Sequence, residues 1–215
     1  MFTLTLLLVI GTFLAVFVSL FGEQLKRVWF GPRLEVVLRN THGEISTFNN
    51  GGIGIFYHLI IRNKKGDMAH NVLAYLTKYE AKNTRNELFL TWEGEAPLQW
   101  RYSFLHGYRT FNIGTDQTSD LFCVTADGLR LEAICPPNSL TSTHSKHGGG
   151  GCDIVLTVCA KGEEAISPEK KFHIKWDGVW IPEPEEMKFH LTVEEMSENE
   201  YQEWNTFAKN EVLGA

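Results

Sequence analysis

Residues 55–79 read IFYHLIIRNKKGDMAHNVLAYLTKY, and this stretch contains two runs of β-forming residues separated by a polar turn. The runs are residues 55–62 and 72–79, and the turn is residues 63–67. Runs rich in branched and aromatic residues that end in Asn, Gly and Asp are typical of neighbouring strands. The stretch therefore predicts two strands, the first of them central in a sheet.

Seven further runs of the same kind occur along the chain, at a spacing of about ten residues. They are residues 34–38, 88–92, 98–102, 120–125, 129–134, 153–160 and 171–176. No amphipathic run of helix length separates them, which argues against a βαβ architecture. The pattern predicts an all-β fold, an immunoglobulin-like antiparallel β-sandwich over residues 34–182.

The N-terminal segment has a different composition. Residues 1–22 carry no charged side chain, so all the charged residues of the chain, 20 basic and 26 acidic, lie after them. Residues 2–21 read FTLTLLLVIGTFLAVFVSLF, and a helix of that length spans roughly 30 Å, the thickness of a bilayer core. This predicts a single-pass transmembrane anchor at residues 1–22, a juxtamembrane linker at 23–33, and the lipid bilayer as a partner through residues 2–21.

Two alternatives to the anchor remain open. A cleaved signal peptide would have a basic start and small residues near its end, and both features are lacking here. A buried core helix is seldom apolar on every face for twenty residues. If the segment is a signal-anchor, Lys26, Arg27 and Arg33 follow it closely, and flanking basic residues stay in the cytoplasm. The asymmetry predicts a membrane protein whose domain lies on the cytoplasmic side.

The C-terminal residues 183–215 are acidic, with eight Glu and one Lys between positions 183 and 203. Ser197 followed by Glu200 is a capping-box pattern, and it predicts a short helix that begins near Ser197. Apolar residues follow at helical spacing: Tyr201, Trp204, Phe207 and Val212. The tail is interpreted as a solvated segment with a short docked helix, and a partner-binding helix is the alternative.

One loop contains side chains that could bind a metal: His144, His147 and Cys152. Imidazole and thiolate suit zinc, but four consecutive glycines separate His147 from Cys152 and would be costly to order. A flexible hairpin loop is therefore favoured over a metal site. Cys135 and Cys152 bracket this loop and could form a disulfide in an oxidising compartment.

No nucleophile elbow, P-loop, kinase motif or zinc-protease motif occurs in the chain. His58 and His70 lie in or beside strands and are interpreted as packing residues. Asp116, Asp120 and Asp127 are interpreted as solvated turn formers, and Trp92, Trp100, Trp176 and Trp180 as packing residues. No catalytic, cofactor-binding or metal-binding residue is predicted, and no cofactor. The net charge of −6 argues against non-specific nucleic-acid binding.

Several pieces of the first 125 residues together resemble a known arrangement. They are Trp29-x-Gly31-Pro32-x-Leu34, Tyr57-His58-Leu59-x-x-Arg62-Asn63, Ala69-x-Asn71-Val72-x-Ala74-Tyr75-Leu76, Pro97-Leu98-x-Trp100 and Asp120-Leu121. With the N-terminal helix, they are similar to uncharacterised bacterial single-pass membrane-anchored proteins with an immunoglobulin-like β-sandwich. The resemblance implies the fold, and it carries no catalytic residue to transfer.

Three functions from different classes fit these observations. The first is a non-enzymatic, membrane-tethered interaction module whose partner is another protein. The second is an extracytoplasmic ligand-binding or adhesion domain, which requires the opposite topology. The third is a metal-binding protein that uses His144, His147 and Cys152.

Overall fold

The computed structural model describes most of the chain, with short gaps. The described residues are 2–48, 51–82, 88–101, 107–134, 146–147 and 150–210. Inside the helices and strands, the side chains of residues 2–9, 23–28, 88–90, 146–147 and 207–210 lie outside the description.

The described chain forms twelve strands and three helices. The helices are α1 (Phe2–Phe30), α2 (Pro184–Met187) and α3 (Glu198–Asn210). The strands are β1 (Leu34–Leu38), β2 (Glu44–Thr47), β3 (Ile53–Asn63), β4 (Ala69–Lys82), β5 (Leu88–Pro97), β6 (Arg109–Phe111), β7 (Asp116–Thr125), β8 (Gly128–Leu131), β9 (Lys146–His147), β10 (Cys152–Lys161), β11 (Lys170–Trp176) and β12 (Leu191–Met196).

These strands form two sheets. The first has the order β1-β3-β7-β8-β9, with β2 also paired to β3, and the second has the order β12-β11-β10-β4-β5, with β6 also paired to β4. The named strand pairs are antiparallel. The prediction of an all-β sandwich is therefore confirmed. Its immunoglobulin-like character stays a prediction.

The core lies between the two sheets, because alternate residues of the central strands point inward from each. Tyr57 of β3 stacks on Phe122 of β7 with ring centroids 4.5 Å apart. From the second sheet, Leu76 of β4 and both Ile154 and Leu156 of β10 are fully buried in the same cluster. The strands with the strongest β-forming runs thus supply the centre of the core.

Eight of the nine predicted runs overlap strands, and residues 34–38 match β1 at both ends. The run 98–102 does not form a strand in its described part, where Leu98 and Trp100 make only isolated bridges. The sequence missed β2, β6, β9 and β12, of which the first three have four residues or fewer. Short runs carry too little alternation to be recognised.

Helix α1 is longer than the apolar segment and ends at Phe30, so most of the predicted linker 23–33 is helical. Its side chains are described at residues 10–22 and 29–30. Within the described residues, no helix is both long enough and apolar enough to cross a membrane. The prediction of an anchor at residues 1–22 gains no support from that finding.

A network of hydrogen bonds joins the end of α1 to the turn between β3 and β4. The Asp67 amide donates to the Phe30 carbonyl at 2.7 Å, and the Arg33 amide donates to the Lys65 carbonyl at 2.9 Å. The buried Asn63 side chain accepts from the Arg33 amide at 3.0 Å and donates to the Asp67 carbonyl at 2.7 Å. The predicted turn at residues 63–67 thus also fixes where the helix meets the sandwich.

The segment expected as a tail, residues 183–215, is partly built into the sandwich. Strand β12 pairs with β11 along six residues, and Met187 of α2 is fully buried. The sandwich therefore extends beyond the predicted boundary at residue 182. The capping box is confirmed, since the Ser197 amide and hydroxyl both donate to Glu200 at 2.7 Å. Residues 211–215, including Val212, lie outside the described chain.

Candidate functional site

Helix α3 docks on the outer face of the second sheet through two aromatic side chains. Tyr201 and Trp204 form a separate cluster with Val155 of β10, and Met196 packs against it. Val155 points away from the core because Ile154 and Leu156 on either side of it point inward. The docked helix covers part of this face.

Tyr201 makes contact with a charged pair beneath the helix. Its hydroxyl donates to the Glu80 carboxylate, with Oε2 at 2.9 Å, and accepts from Lys78 Nζ at 3.0 Å. Lys78 Nζ also lies 3.0 Å from Glu80 Oε1, and Glu80 is 1 % exposed. Burial opposes the charge of Lys78, but the bonds to Tyr201 and Glu80 outweigh it and raise the lysine pKa. This triad stabilises the docked helix.

Trp204 makes a second polar contact. Its Nε1 donates to Asp153 Oδ1 at 2.9 Å, and His173 Nε2 lies 2.8 Å from the same oxygen. Burial raises the Asp153 pKa, but hydrogen bonds from His173 and Trp204 outweigh that effect and lower it. Lys82 Nζ lies 4.4 Å from the centre of the Trp204 ring. Both aromatic anchors of α3 are therefore held by charged groups of the sheet.

Next to Tyr201, the same face of the sheet is open and contains a groove of about 520 Å³, here called the polar groove. Its walls and floor come from β4, β5, β10, β11, α3 and the end of the loop before β11. The lining residues are Thr77, Lys78, Glu93, Gly94, Glu95, Thr157, Lys161, Glu169, Lys171 and Tyr201.

Two strand irregularities meet at the floor of the polar groove. The pairing of β4 with β10 shifts between Thr157 and Val158, and its pairing with β5 shifts between Leu76 and Lys78. Thr77 is the residue left without a register partner in both ladders, so it is a β-bulge. Bulges re-aim side chains, and here the Thr77 hydroxyl lies 3.0 Å from Glu169 Oε1 and 3.2 Å from the Thr157 carbonyl.

The lysines of the polar groove each have a carboxylate partner. Lys78 pairs with Glu80, Lys161 pairs with Glu95 at 2.6 Å, and Lys171 pairs with Glu198 of α3 at 2.7 Å. In the described chain, two further carboxylates of the groove have no lysine or arginine partner. Among the described residues, Glu93 and Glu169 have no basic partner within ion-pair distance.

The hydroxyl of Thr157 differs from the charged groups of the groove in being buried without a hydrogen-bond partner in the described chain. Thr157 is 2 % exposed, and its Oγ1 has no hydrogen-bond partner within the described chain. A buried hydroxyl without a partner is unfavourable and invites a ligand or water. The polar groove therefore combines two carboxylates that have no basic partner in the described chain with a buried hydroxyl that has no hydrogen-bond partner there.

A second polar cluster lies on the first sheet around His58. Its Nδ1 lies 2.7 Å from Asp120 Oδ1, and its Nε2 has no hydrogen-bond partner in the described chain and lies 4.0 Å from Glu44 Oε2. Glu44 also binds Arg39 and Arg101 at 2.8 and 2.5 Å. Burial raises the Glu44 pKa, but Arg101 and Arg39 outweigh it and lower that pKa.

This cluster changes one prediction. Asp120 was expected to be a solvated turn former, but it lies in β7 and is buried against His58. A carboxylate becomes buried there because an imidazole in register on β3 pairs with it. His58 is the packing residue that the sequence predicted, and at 3 % exposed it offers no access to a substrate.

The remaining candidates from the sequence lie apart from one another. His70 was predicted to be a packing residue, but it is exposed and bonds to Glu164 at 2.7 Å. Asp116 is solvated as predicted but is the first residue of β7 and lies 3.6 Å from Arg62, and Asp127 is exposed in the turn between β7 and β8. All four tryptophans predicted to pack do so against the main core. Trp100 and Trp176 are buried, and Trp92 and Trp180 are partly buried.

The candidate metal loop falls largely outside the description. His144 and Cys135 lie outside the described residues, and His147 belongs to β9 without a described side chain. Cys152 is a free thiol at the start of β10, and burial raises its pKa to about 12. In the described part of the chain, no group of three or more His, Cys, Asp or Glu side chains could hold a metal. The loop site thus stays a prediction.

The polar groove was not predicted from the sequence, because its residues come from five elements and a loop and form no motif. The one local signal was Thr77, a hydroxyl residue within the apolar run 72–79. A comparison of the chain with protein-family models finds no match, and a comparison with curated protein sequences finds none either.

Proposed function

We propose that this chain is a non-enzymatic interaction module, an immunoglobulin-like β-sandwich tethered to a membrane by α1. The observation that carries the proposal is the exposure of α1. Residues 10–21 of the helix are all exposed, although most of them are apolar. Eight large apolar side chains there are 41–71 % exposed: Ile10, Phe13, Leu14, Val16, Phe17, Val18, Leu20 and Phe21.

These side chains point to every side of the helix, since they follow one another almost without interruption. A helix that packs on its own domain buries one stripe and exposes polar residues on the other side. Residues 10–22 of α1 include no charged side chain, so this part of the helix has no charged side. An apolar surface of this kind needs an apolar environment, and the hydrocarbon of a bilayer supplies one on all sides at once.

The orientation of the proposed tether follows from charge. Lys26, Arg27 and Arg33 lie just after the apolar segment, and Arg33 is exposed beside the joint with the sandwich. Basic residues that flank a membrane segment remain in the cytoplasm. We therefore place the sandwich on the cytoplasmic side, and the extracytoplasmic adhesion domain is the alternative.

The chemistry of the described side chains supports a binding role. Burial raises the pKa of the Cys123, Cys152 and Cys159 thiols, to about 12 for Cys152 and about 11 for Cys159. Thiols of this kind are poor nucleophiles, since the thiolate is the reactive form. The polar groove instead offers fixed charges and a hydroxyl, which suit recognition. Tethering raises the effective concentration of such a groove towards other membrane components.

Membrane attachment is tested by extraction of membranes with alkaline carbonate. The wild-type chain is expected to stay in the pellet, and the variant Phe13→Arg/Phe17→Arg is expected to move to the supernatant. Each arginine at the centre of a membrane helix costs about 2.5–3.5 kcal/mol. Ile166→Arg is the matched control, because Ile166 is an exposed apolar residue like Phe13 but lies on the sandwich, with 67 % exposure against 71 %. Wild-type protein in the supernatant would contradict the tether.

Reporter fusions test on which side of the membrane the sandwich lies. Alkaline phosphatase and a fluorescent protein are fused in parallel after Ala215. Fluorescence without phosphatase activity is the expected result, and the reverse result supports the extracytoplasmic alternative.

Chemical crosslinking in native membranes tests the interaction itself and should return a reproducible protein partner. Recovery of none under several growth conditions would argue against an interaction module.

A further inference from the structure

The polar groove carries more negative charge than its own basic groups neutralise. The triad residue Glu80 and the carboxylates of Glu95 and Glu198 neutralise the three lysines of the groove. The carboxylates of Glu93 and Glu169 remain, so five carboxylates face three ammonium groups, and the groove with its ion-pair partners carries a net charge of −2. This surplus favours a cationic ligand over an anionic one.

The buried hydroxyl of Thr157 gives this negatively charged groove a defined point of ligand binding. Thr157 lies on the floor of the groove, and its Oγ1 has no partner among the described residues. Surface glutamates alone are satisfied by water, but the Thr157 hydroxyl is not, because the residue is 2 % exposed and its Oγ1 is buried. The β-bulge at Thr77 holds the Glu169 carboxylate in the groove, 3.0 Å from the Thr77 hydroxyl.

The number and kind of free groups specify the ligand. A primary ammonium has three N–H donors and no acceptor. Within the described chain, three groups of the groove can accept from it: Thr157 Oγ1, which has no hydrogen-bond partner, and the carboxylates of Glu93 and Glu169, which have no basic partner. An ammonium is compact and can direct its three donors to three separate side chains, whereas the planar fork of a guanidinium is matched to the two oxygens of a single carboxylate.

We propose that the polar groove binds a primary alkylammonium group through Glu93, Glu169 and Thr157. The group belongs either to a free diamine or to a lysine side chain of a partner protein, which share this chemistry. The inference rests on the proposed function, because it names what the interaction module recognises. It is tested separately, since binding in the groove does not require that α1 crosses a membrane.

The test is calorimetric titration of the full chain in an uncharged detergent. The probes are 1,4-diaminobutane, Nα-acetyl-lysine methylamide and, as an anion of similar size, butyrate. We expect both ammonium probes to bind and butyrate to give no heat of binding. Tighter binding of the diamine indicates a small-molecule ligand, and tighter binding of the lysine derivative indicates a protein partner. Absence of binding by both ammonium probes, or equal binding of butyrate, would overturn the proposal.

Three variants locate the binding. Glu169→Gln and Glu93→Gln each remove one charge from an exposed side chain and keep its shape, so folding is not at risk. Each is expected to weaken binding by about tenfold or more, the usual effect of a lost charged hydrogen bond. Thr157→Val keeps the volume and removes the hydroxyl, and it should weaken binding to a similar extent.

The matched control is Glu194→Gln. Glu194 is also exposed, lies on β12 of the same sheet, and does not line the groove. Its affinity should equal that of the wild type. If Glu194→Gln weakens ammonium binding as much as Glu169→Gln does, the binding is a general effect of the acidic surface and the proposed site is wrong. Loss of carbonate-resistant membrane attachment would leave this result unchanged and would count against the tether alone.

Discussion

Replacing Lys78 by methionine is expected to lower the free energy of unfolding by about 3–5 kcal/mol, because it leaves a buried charge without its partner. Glu80 is 1 % exposed, and its carboxylate contacts Lys78 Nζ at 3.0 Å and the Tyr201 hydroxyl at 2.9 Å. Methionine keeps much of the lysine stem but provides no positive charge. The measurement is urea unfolding of the full chain in detergent, followed by circular dichroism.

Lys170→Met is the matched control for this prediction. Lys170 also pairs with a glutamate across two strands, Glu195 of β12, but both side chains are about one-third exposed or more. Exposed ion pairs contribute about 0–1 kcal/mol, so this variant should lose little stability. The double variant Lys78→Met/Glu80→Gln should recover part of the loss, since the uncompensated charge is gone. Equal losses in the two lysine variants would show that Glu80 is solvated.

The second large effect is expected at Gly66, where alanine should disrupt the joint between α1 and the sandwich. Gly66 has φ +89°, in the left-handed region, and a Cβ there would overlap the carbonyl oxygens of Phe30 and Gly31. The backbone conformation alone costs a non-glycine residue about 1–3 kcal/mol. The overlap adds about 1–3 kcal/mol more, because the colliding atoms belong to the backbone and cannot rotate away.

Gly114→Ala separates the two contributions. Gly114 has a similar φ of +74°, but nothing lies within 4 Å of a Cβ built there. It should therefore lose only the backbone contribution. Urea unfolding of both variants gives the difference, and hydrogen exchange of the Asp67 amide, which donates to Phe30, reports on the joint itself. Equal stability losses for Gly66→Ala and Gly114→Ala would mean that α1 does not contact the turn as described.

The strands were predictable because each is a continuous local pattern. Residues 55–62 and 72–79 lie inside β3 and β4, and the capping box at Ser197 lies at the start of α3. Strand β12 was not predicted from the sequence. Its buried Leu and Val alternate with exposed Thr and Glu, but they lie in a segment whose overall charge is strongly acidic. Composition there indicated a tail, although alternation indicated a strand.

The sequence predicted the turn that contains Gly66 but not the contacts of this turn with α1. The sequence predicted a turn at residues 63–67, since Asn, Gly and Asp favour turns. It did not indicate that the Asn63 side chain would bind the Arg33 amide or that Gly66 would contact the end of α1. Both contacts join residues about thirty positions apart, and no local pattern encodes such a pairing.

By itself, the sequence determined the all-β class, most of the strands, the docked C-terminal helix and the uncharged N-terminal segment, because periodicity and composition are local properties. Only the tertiary structure decided which polar residues meet. It buries Glu80 and Asp120 beside their partners, and it brings Glu93, Thr157 and Glu169 from three strand regions into one groove. The physical reason is that strand order and bulges set these neighbours, and both arise from packing between distant segments.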